Sequence, residues 1–413
     1  MLLKVGIMSI GDELMDGLTI DTNSTWIAEK ISHYKSLIVQ SKVSVSDDVD
    51  SILKNVNYFI KNNYTYIFIT GGLGPTHDDI TKHALCIYFK CKVILDKSYY
   101  LKLKKYFKDK NIKDVSHLQS QAEILEISSP VYNDNGIALG MAIKHKKSQI
   151  FVMPGVPREM KGMINNQILP LFINSFHEKI IKHMTLLTTG IYESRLYDML
   201  KNTIKLNKDN FKVSFLPNYT GVKIRLSIIN SNVTKKDFLK FKEDVLSRID
   251  KYVYGYDKDK IEEVVSNILK KKKLTISVAE SCTGGYLSKK FTNVAGSSKF
   301  FKGGVIAYSN SIKIDILDIS KKLLNEKGAV SEEVALKMAE GIKNKFNTNI
   351  GISTTGISGP DGGSIEKPVG LVYIAIVTKK DKIIKKFNLI PNRSLHRDVT
   401  VHTALNILRL SLK

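Results

Sequence analysis

Residues 277–315 read SVAESCTGGYLSKKFTNVAGSSKFFKGGVIAYSNSIKID. An apolar strand predicted over 274–279 runs into Glu280, Ser281, Cys282 and Thr283, and Gly284 and Gly285 turn the chain into a helix. Hydroxyls and glycines at a strand-to-helix turn predict a polar ligand site. A serine attacks a carbonyl only if a base takes its proton. No histidine lies near the motif, and His396 and His402, in the last helix, read as surface residues. The nearest credible base is Lys313, 32 residues after Ser281, which serves if burial lowers its pKa enough to populate the free amine. Tyr308 is placed to bridge the two by hydrogen bonds. This set points to amide or ester hydrolysis, with N–H groups of a glycine turn holding the oxyanion. Cys282 is the stronger intrinsic nucleophile, yet it needs an activating partner, and a small residue beside a strand is more often core. One lysine among 56 is a weak marker, so the residues alone leave serine, cysteine and a purely structural turn open.

A second set of chemical residues lies near the N-terminus. Asp12 and Glu13 follow a strand over 3–10, Asp47 follows a strand over 37–45, and GGLGPTHDDIT follows a strand over 64–70. Gly71, Gly72 and Gly74 leave backbone N–H groups open before a helix expected to start near Asp78, a phosphate cradle. Asp78 and Asp79 repel a bare phosphate, so a Mg²⁺-bridged phosphate or diphosphate is the consistent ligand, the alternative being that both aspartates cap the helix.

The elements that must position these residues follow from periodicity. The first strand, a helix carrying Trp26 and capped from Thr22, Asn23 or Ser24, the second strand, a helix over 49–60 and the third strand give a β-α-β-α-β rhythm. That rhythm predicts a parallel sheet covered on both faces, with ligands at the strands' carboxyl ends. Residues 171–255 read as a small α+β connector, and residues 252–260 as a linker. The remainder reads as helix 261–272, strands 274–279, 303–308, 349–354 and 370–378, a helix over 331–346 capped by Ser331, and a last helix from about Ser394. TTGISGPDGGSIEKPVG adds a second glycine loop with Thr355, Gly356 and Gly359.

A chain of 413 residues exceeds one ordinary core, and no apolar run reaches the roughly 18 residues of a bilayer span. A cytoplasmic protein is expected. Three cysteines without a CxxC pattern predict neither disulfides nor zinc. The net charge of +23 divides into +4, +7 and +12 over residues 1–170, 171–255 and 256–413, with no basic block. Only seven of the 63 cations are Arg, so a groove built to grip nucleic acid is not expected.

SIGDEL with TN after it, GGLGPTHDDIT and MPGVPREMKGM resemble the molybdopterin-binding-like domain of the CinA family. AESCTGG, AGSS, F-x-GG-x-x-x-YSN-x-x-K, GAVS, TGISGPDGG and KPVG resemble that family's C-terminal domain. The resemblance implies a three-layer α/β domain over 1–170, the connector over 171–255 and an α/β amidohydrolase domain over 256–413. It implies deamidation of nicotinamide mononucleotide to nicotinate mononucleotide and ammonia, without a cofactor. The implied catalytic residues are Ser281 as nucleophile, Lys313 as base and Tyr308 as its partner. Thr283, Gly284, Gly285, Asn310, Thr355, Gly356, Gly359, Arg393 and Arg397 would bind the substrate. In the first domain it implies Mg²⁺-dependent ADP-ribose pyrophosphatase activity at Asp12, Glu13, Asn23, Asp47, Gly71, Gly72, Gly74, Asp78 and Asp79, with Asp47 and Asp79 on the metal. The sequence departs from the family's NxxGxAPG turn at NDNGIALG, where Leu139 replaces proline. A homodimer handling small nucleotides is expected, with neither nucleic acid nor membrane as partner. The competing readings are a non-catalytic partner in competence or DNA repair, and a molybdopterin-handling enzyme, which leaves AESCTGG unexplained.

Overall fold

The computed structural model describes residues 3–34, 36–76, 79–112, 118–175, 183–230 and 232–413. The chain divides into two compact units, Met1–Lys182 and His183–Lys413.

In the first unit six strands form one sheet in the order Leu37–Val45, Leu3–Ile10, Tyr66–Thr70, Ser148–Met153, Gly140–His145, Ser128–Val131. The first four run parallel, as the β-α-β-α-β rhythm requires, and the last two are antiparallel, so the sheet is mixed rather than wholly parallel. Alternation along the central strands makes three layers. Met8, Ile10, Ile67, Ile69, Ile150 and Val152 pack on one face against helix residues Ile52, Val56 and Phe59. Val5, Ile7, Phe68, Phe151 and Met153 pack on the other against Ile27, Ile31, Met160 and Phe172.

Two expected boundaries move. The helix Thr22–Ile31 is capped by Asp21, whose carboxylate accepts from Ser24 N, rather than by the hydroxyls after it. The helix after the glycine loop is Thr81–Phe89, not one starting near Asp78, which lies outside the described residues.

The second unit opens with an antiparallel sheet in the order Phe211–Asn218, Gly221–Ile228, His183–Thr188, Val253–Tyr256. It is covered by helices Glu193–Asn207 and Lys235–Ile249, with Phe211 stacked on Phe241 at 4.3 Å between ring centroids. Residues 252–260 are therefore not a free linker, because Val253–Tyr256 is an edge strand of this sheet. Buried Arg409 fastens that edge to the last helix, donating to the carbonyls of Val253 at 2.9 Å and Lys251 at 2.7 Å and to Asn406 Oδ1. A lysine has no planar fork to satisfy that set.

The rest of the unit is a five-stranded sheet in the order Phe301–Ile306, Ile276–Glu280, Ile350–Gly356, Leu371–Val377, Lys382–Asn388. The first three strands are parallel and the last two antiparallel. Ile276 and Val278 face helices Ile261–Lys272 and Arg393–Ser411 through Val265, Val401 and Leu405. Ala279 faces Val334 and Met338 of Glu332–Lys345, which Ser331 caps as expected. Among the described residues no helix is long and apolar enough to cross a membrane.

Candidate active site

Ser281 is the first residue beyond the buried strand Ile276–Glu280, and its N–H continues the ladder to Thr354 O at 2.9 Å. Lys313 comes from a helix, Asn310–Leu317, where the sequence suggested only the end of a strand; Ser309 caps that helix through Ile312 N. Lys313 is 1% exposed, and its Nζ lies 3.4 Å from Ser281 Oγ. The same nitrogen donates to Ala307 O at 2.7 Å and Tyr308 O at 3.1 Å. An ammonium has three protons, and all three find neutral oxygens here, so these hydrogen bonds bring no compensating negative charge. Burial accordingly holds Lys313 below the usual ammonium range.

Tyr308 takes a different place from the expected one. Its carbonyl serves the lysine, while its ring is 62% exposed and its hydroxyl accepts from Arg393 Nη2 at 3.3 Å, so the phenol does not bridge Ser281 and Lys313. Arg393 also donates to Gly359 O at 3.0 Å, and Arg397 donates to Thr283 O through Nε at 3.3 Å and Nη2 at 2.8 Å. The two arginines, one turn apart on Arg393–Ser411, thus hold both loops that flank the serine. Gly284 has φ +56, and a Cβ there would stand 3.3 Å from Arg397 Nη2, so the turn needs glycine for its backbone and for the guanidinium's approach. Gly285, at φ +90, caps the helix Tyr286–Thr292.

Two predicted contact residues act from behind the site. Thr283 and Thr355 are fully buried; Thr283 Oγ1 shares a 2.7 Å bond with Thr354 Oγ1, and Thr355 Oγ1 donates to Ala329 O at 2.7 Å. Their side chains set the loops. Gly356 ends the strand Ile350–Gly356, and Asn310 is exposed at the start of the lysine's helix.

Cys282 is buried, and that burial pushes its thiol up to about 12, which removes the thiolate a cysteine nucleophile needs. Cys282→Ala is therefore expected to keep its turnover within about threefold, and the wild-type rate to survive iodoacetamide. Stoichiometric inactivation by alkylation of Cys282 would contradict this.

Two participants escaped sequence reasoning. Glu280, fully buried, accepts from Leu287 N at 2.9 Å, Ser288 N at 2.8 Å and Ser288 Oγ at 2.7 Å, tying the start of the next helix to the strand before the serine. His396 is fully buried rather than at the surface, its Nδ1 sharing a 2.9 Å hydrogen bond with Ser358 Oγ in the second glycine loop. His402 is likewise largely enclosed. A carboxylate followed six residues later by a helix start was the one available signal for Glu280.

The first unit has its own crevice, a cavity of about 480 Å³ at the carboxyl ends of the strands, lined by Glu13, Asp47, Gly71, Gly72, Gly74 and Asp79, among others. Asp12 and Asp47 clasp each other, with Asp12 N donating to Asp47 Oδ2 at 3.1 Å and Asp47 N to Asp12 Oδ1 at 3.0 Å. Burial raises the Asp47 pKa against the lowering pull of the Asp12 N–H bond, and the charges of Asp12, Glu13 and Asp79 add to the rise, so carboxylates do converge here. Asp79 accepts from Gly74 N at 2.6 Å, Thr76 N at 2.8 Å and Thr76 Oγ1 at 2.6 Å, and a Cβ on Gly74 would fall 2.5 Å from its Oδ2. Asp79 thus organises the glycine loop. Among the described residues no group of three or more His, Cys, Asp or Glu side chains is arranged to hold a metal. Asn23 is buried, donating to Gly155 O at 2.6 Å and Thr70 Oγ1 at 3.3 Å; it braces the strand ends, and its Oδ1 meets no partner among the described residues. Leu139 is in the core, and its N–H donates to Gln121 O at 2.9 Å, a bond that proline would not make.

The fold and these two sites define a mixed α/β protein with a carboxylate-lined crevice in its first unit and a buried serine–lysine pair in its second. Three family models match in order: probable molybdopterin binding domain over residues 6–173, damage-inducible protein CinA KH domain over 183–255, and CinA C-terminal domain over 258–412. A CinA-like protein of Cytophaga hutchinsonii is 36% identical over 409 residues, covering 98% of this chain and 97% of its own. A CinA-like protein of Flavobacterium psychrophilum is 35% identical over 411 residues, covering 98% of each. The crystal structure of the competence/damage inducible protein CihA from Agrobacterium tumefaciens is 36% identical, covering 37% of this chain and 96% of its own, with a TM-score of 0.36. The chain belongs to the CinA family.

Proposed function

We propose that the C-terminal part of the chain hydrolyses the carboxamide of nicotinamide mononucleotide, giving nicotinate mononucleotide and ammonia. The observation that carries this reading is Lys313 Nζ, buried among neutral acceptors 3.4 Å from Ser281 Oγ. The free amine takes the hydroxyl proton as Ser281 Oγ bonds to the carboxamide carbon, and N–H groups of the glycine turn receive the oxyanion. The lysine then protonates the leaving nitrogen, the C–N bond breaks to release ammonia, and an ester remains on Ser281. Water, deprotonated by the same amine, cleaves that ester. Arg393, exposed at the first turn of its helix, suits the substrate phosphate. The test is ammonia release from the nucleotide by purified protein; full activity in Ser281→Ala would remove the proposed nucleophile.

The converging carboxylates of the first unit favour a second activity, cleavage of the ADP-ribose diphosphate. Mg²⁺ entering with that diphosphate would meet Asp47 and would neutralise its charge, the diphosphate supplying most of the ligand oxygens. Asp79→Ala removes the carboxylate that accepts from three donors of the glycine loop. It is expected to lower ADP-ribose turnover by about 10²-fold with ammonia release unchanged. Parallel loss of both activities would argue against two separate sites.

The competing reading as a nucleic-acid partner is weakened by the connector itself. KH modules clamp the backbone of RNA with a GxxG loop. Residues 183–255 contain Gly190, Gly221 and Gly255 and no GxxG, and Gly190 is followed three residues later by Glu193.

A further inference from the structure

Cys86 and Cys91 stand on either side of a helix end. The helix Thr81–Phe89 stops at Lys90, whose backbone enters the left-handed region at φ +51. Cys91, the next residue, turns its N–H back to Cys86 O at 3.2 Å. That six-to-one bond belongs to a Schellman cap, in which the side chains near the two ends of the reversal meet. Here both are cysteines; both are half-buried, and both pack against the same core of the first unit. Four residues separate them in the sequence, and only the reversal at Lys90 brings them together, so the missing CxxC pattern said nothing of this pair. The two thiols are within hydrogen-bonding reach, Cys86 S–H donating to Cys91 Sγ. A cavity of about 460 Å³ opens beside them, lined by both cysteines, by His83 and Lys92, and by Thr76 and Asp79 of the glycine loop.

We infer that Cys86 and Cys91 form a dithiol site that reacts with low-molecular-weight disulfides and closes to a disulfide of its own. A helix cap by itself needs only two apolar side chains; two thiols in mutual contact on the wall of an open cavity also give a reagent its way in. The hydrogen bond divides the roles. Burial pushes the Cys86 thiol up to about 11, with Cys91 adding to the rise. Burial raises Cys91 as well, but the bond from Cys86 lowers it, so Cys91 is the easier of the two to ionise. Cys91 Sγ, as thiolate, attacks one sulfur of the small disulfide; that S–S bond breaks, and the first small thiol leaves with the proton Cys91 gave up. Cys86 Sγ then attacks Cys91 Sγ and expels the second small thiol, which takes the Cys86 proton. The pair loses two electrons and two protons, and the small disulfide gains both. The cavity shares Gly74, Thr76 and Asp79 with the carboxylate-lined crevice, so an adduct left on Cys91 would stand against the back of that loop, whereas closure of the pair clears it.

The experiment treats the native full-length protein with dithiodipyridine and follows the thiopyridone released and the intact mass. Cys282 is buried with its thiol pushed up to about 12, so the release reports on the other two cysteines. Wild type is expected to release two thiopyridones per chain, to lose the mass of two hydrogens and to retain no adduct. Peptide mapping should find Cys86 linked to Cys91, and dithiothreitol should restore the starting mass. Cys86→Ser should release one thiopyridone and hold the mixed disulfide on Cys91. No release from native wild type, or an adduct that persists on either cysteine, would overturn the inference. So would linkage of either cysteine to Cys282 or to a second chain, or a Cys86→Ser adduct lost as fast as in wild type. The wild-type mass and peptide map decide the matter even if Cys86→Ser fails to fold.

Discussion

Lys313→Met is expected to lower nicotinamide mononucleotide deamidation by about 10³-fold, because a neutral thioether fills the space of the amine and takes no proton. Lys313→Arg should fail equally, since a guanidinium stays charged at every working pH. The pH profile separates a base from a merely structural lysine. Burial sets the native pKa below that of the unfolded chain, so the amine fraction grows as pH rises through the lowered value. kcat/KM should climb across that range and level off above it. Stability shares the sign. Between the lowered native pKa and the ordinary lysine value the unfolded chain binds more protons, so the cost of burying the lysine is fully present below this window and disappears as pH rises through it. A kcat/KM that stays flat from about pH 6 to pH 10, or a Lys313→Met enzyme within about tenfold of wild type, would exclude the lysine as base.

What the sequence disclosed follows the strength of its local patterns. The strand Leu37–Val45, the helix Ile261–Lys272 and the Ser331 cap fall at their expected positions, since each has clear periodicity or a defined start signal. The helix Asn310–Leu317 did not stand out, because NSIKIDIL is rich in β-branched residues and continues an apolar strand. Once that helix is present, Lys313 turns inward to Ser281 while the Tyr308 ring stays outside, which no spacing argument reveals. The strand Lys382–Asn388 is polar at an edge and carries little apolar signal. His396 and His402 looked superficial because Arg393–Ser411 is packed on several sides, so its polar residues are enclosed along with its apolar ones. In the first unit the family motif located the acidic residues and tertiary contacts assigned their tasks: Asp79 faces its own loop, and Asp12 is paired with Asp47.

Glu280→Gln is expected to cost about 3 kcal/mol of stability and to lower kcat with little change in KM. The native carboxylate receives three donors, two from backbone N–H groups at the start of Tyr286–Thr292 and one from Ser288 Oγ. Bonds to an ionised acceptor are each stronger than neutral ones, and a helix start favours negative charge. Glutamine retains one acceptor oxygen and turns an NH₂ group towards a backbone N–H, so at least one donor is left buried and unpaired. The effect reaches the chemistry because Glu280 immediately precedes Ser281, and the segment it anchors contains the glycine turn from which the proposed mechanism draws its oxyanion donors, Gly284 N itself being bonded to Ser281 O at 3.1 Å. Misplacing those donors weakens binding of the transition state more than binding of the substrate, which lowers kcat rather than raising KM. Urea unfolding gives the stability change, and steady-state ammonia release gives the kinetic split. A variant with wild-type unfolding and wild-type kcat would show that the carboxylate holds neither the helix nor the turn. A variant that is destabilised but turns over normally would confine its role to the fold.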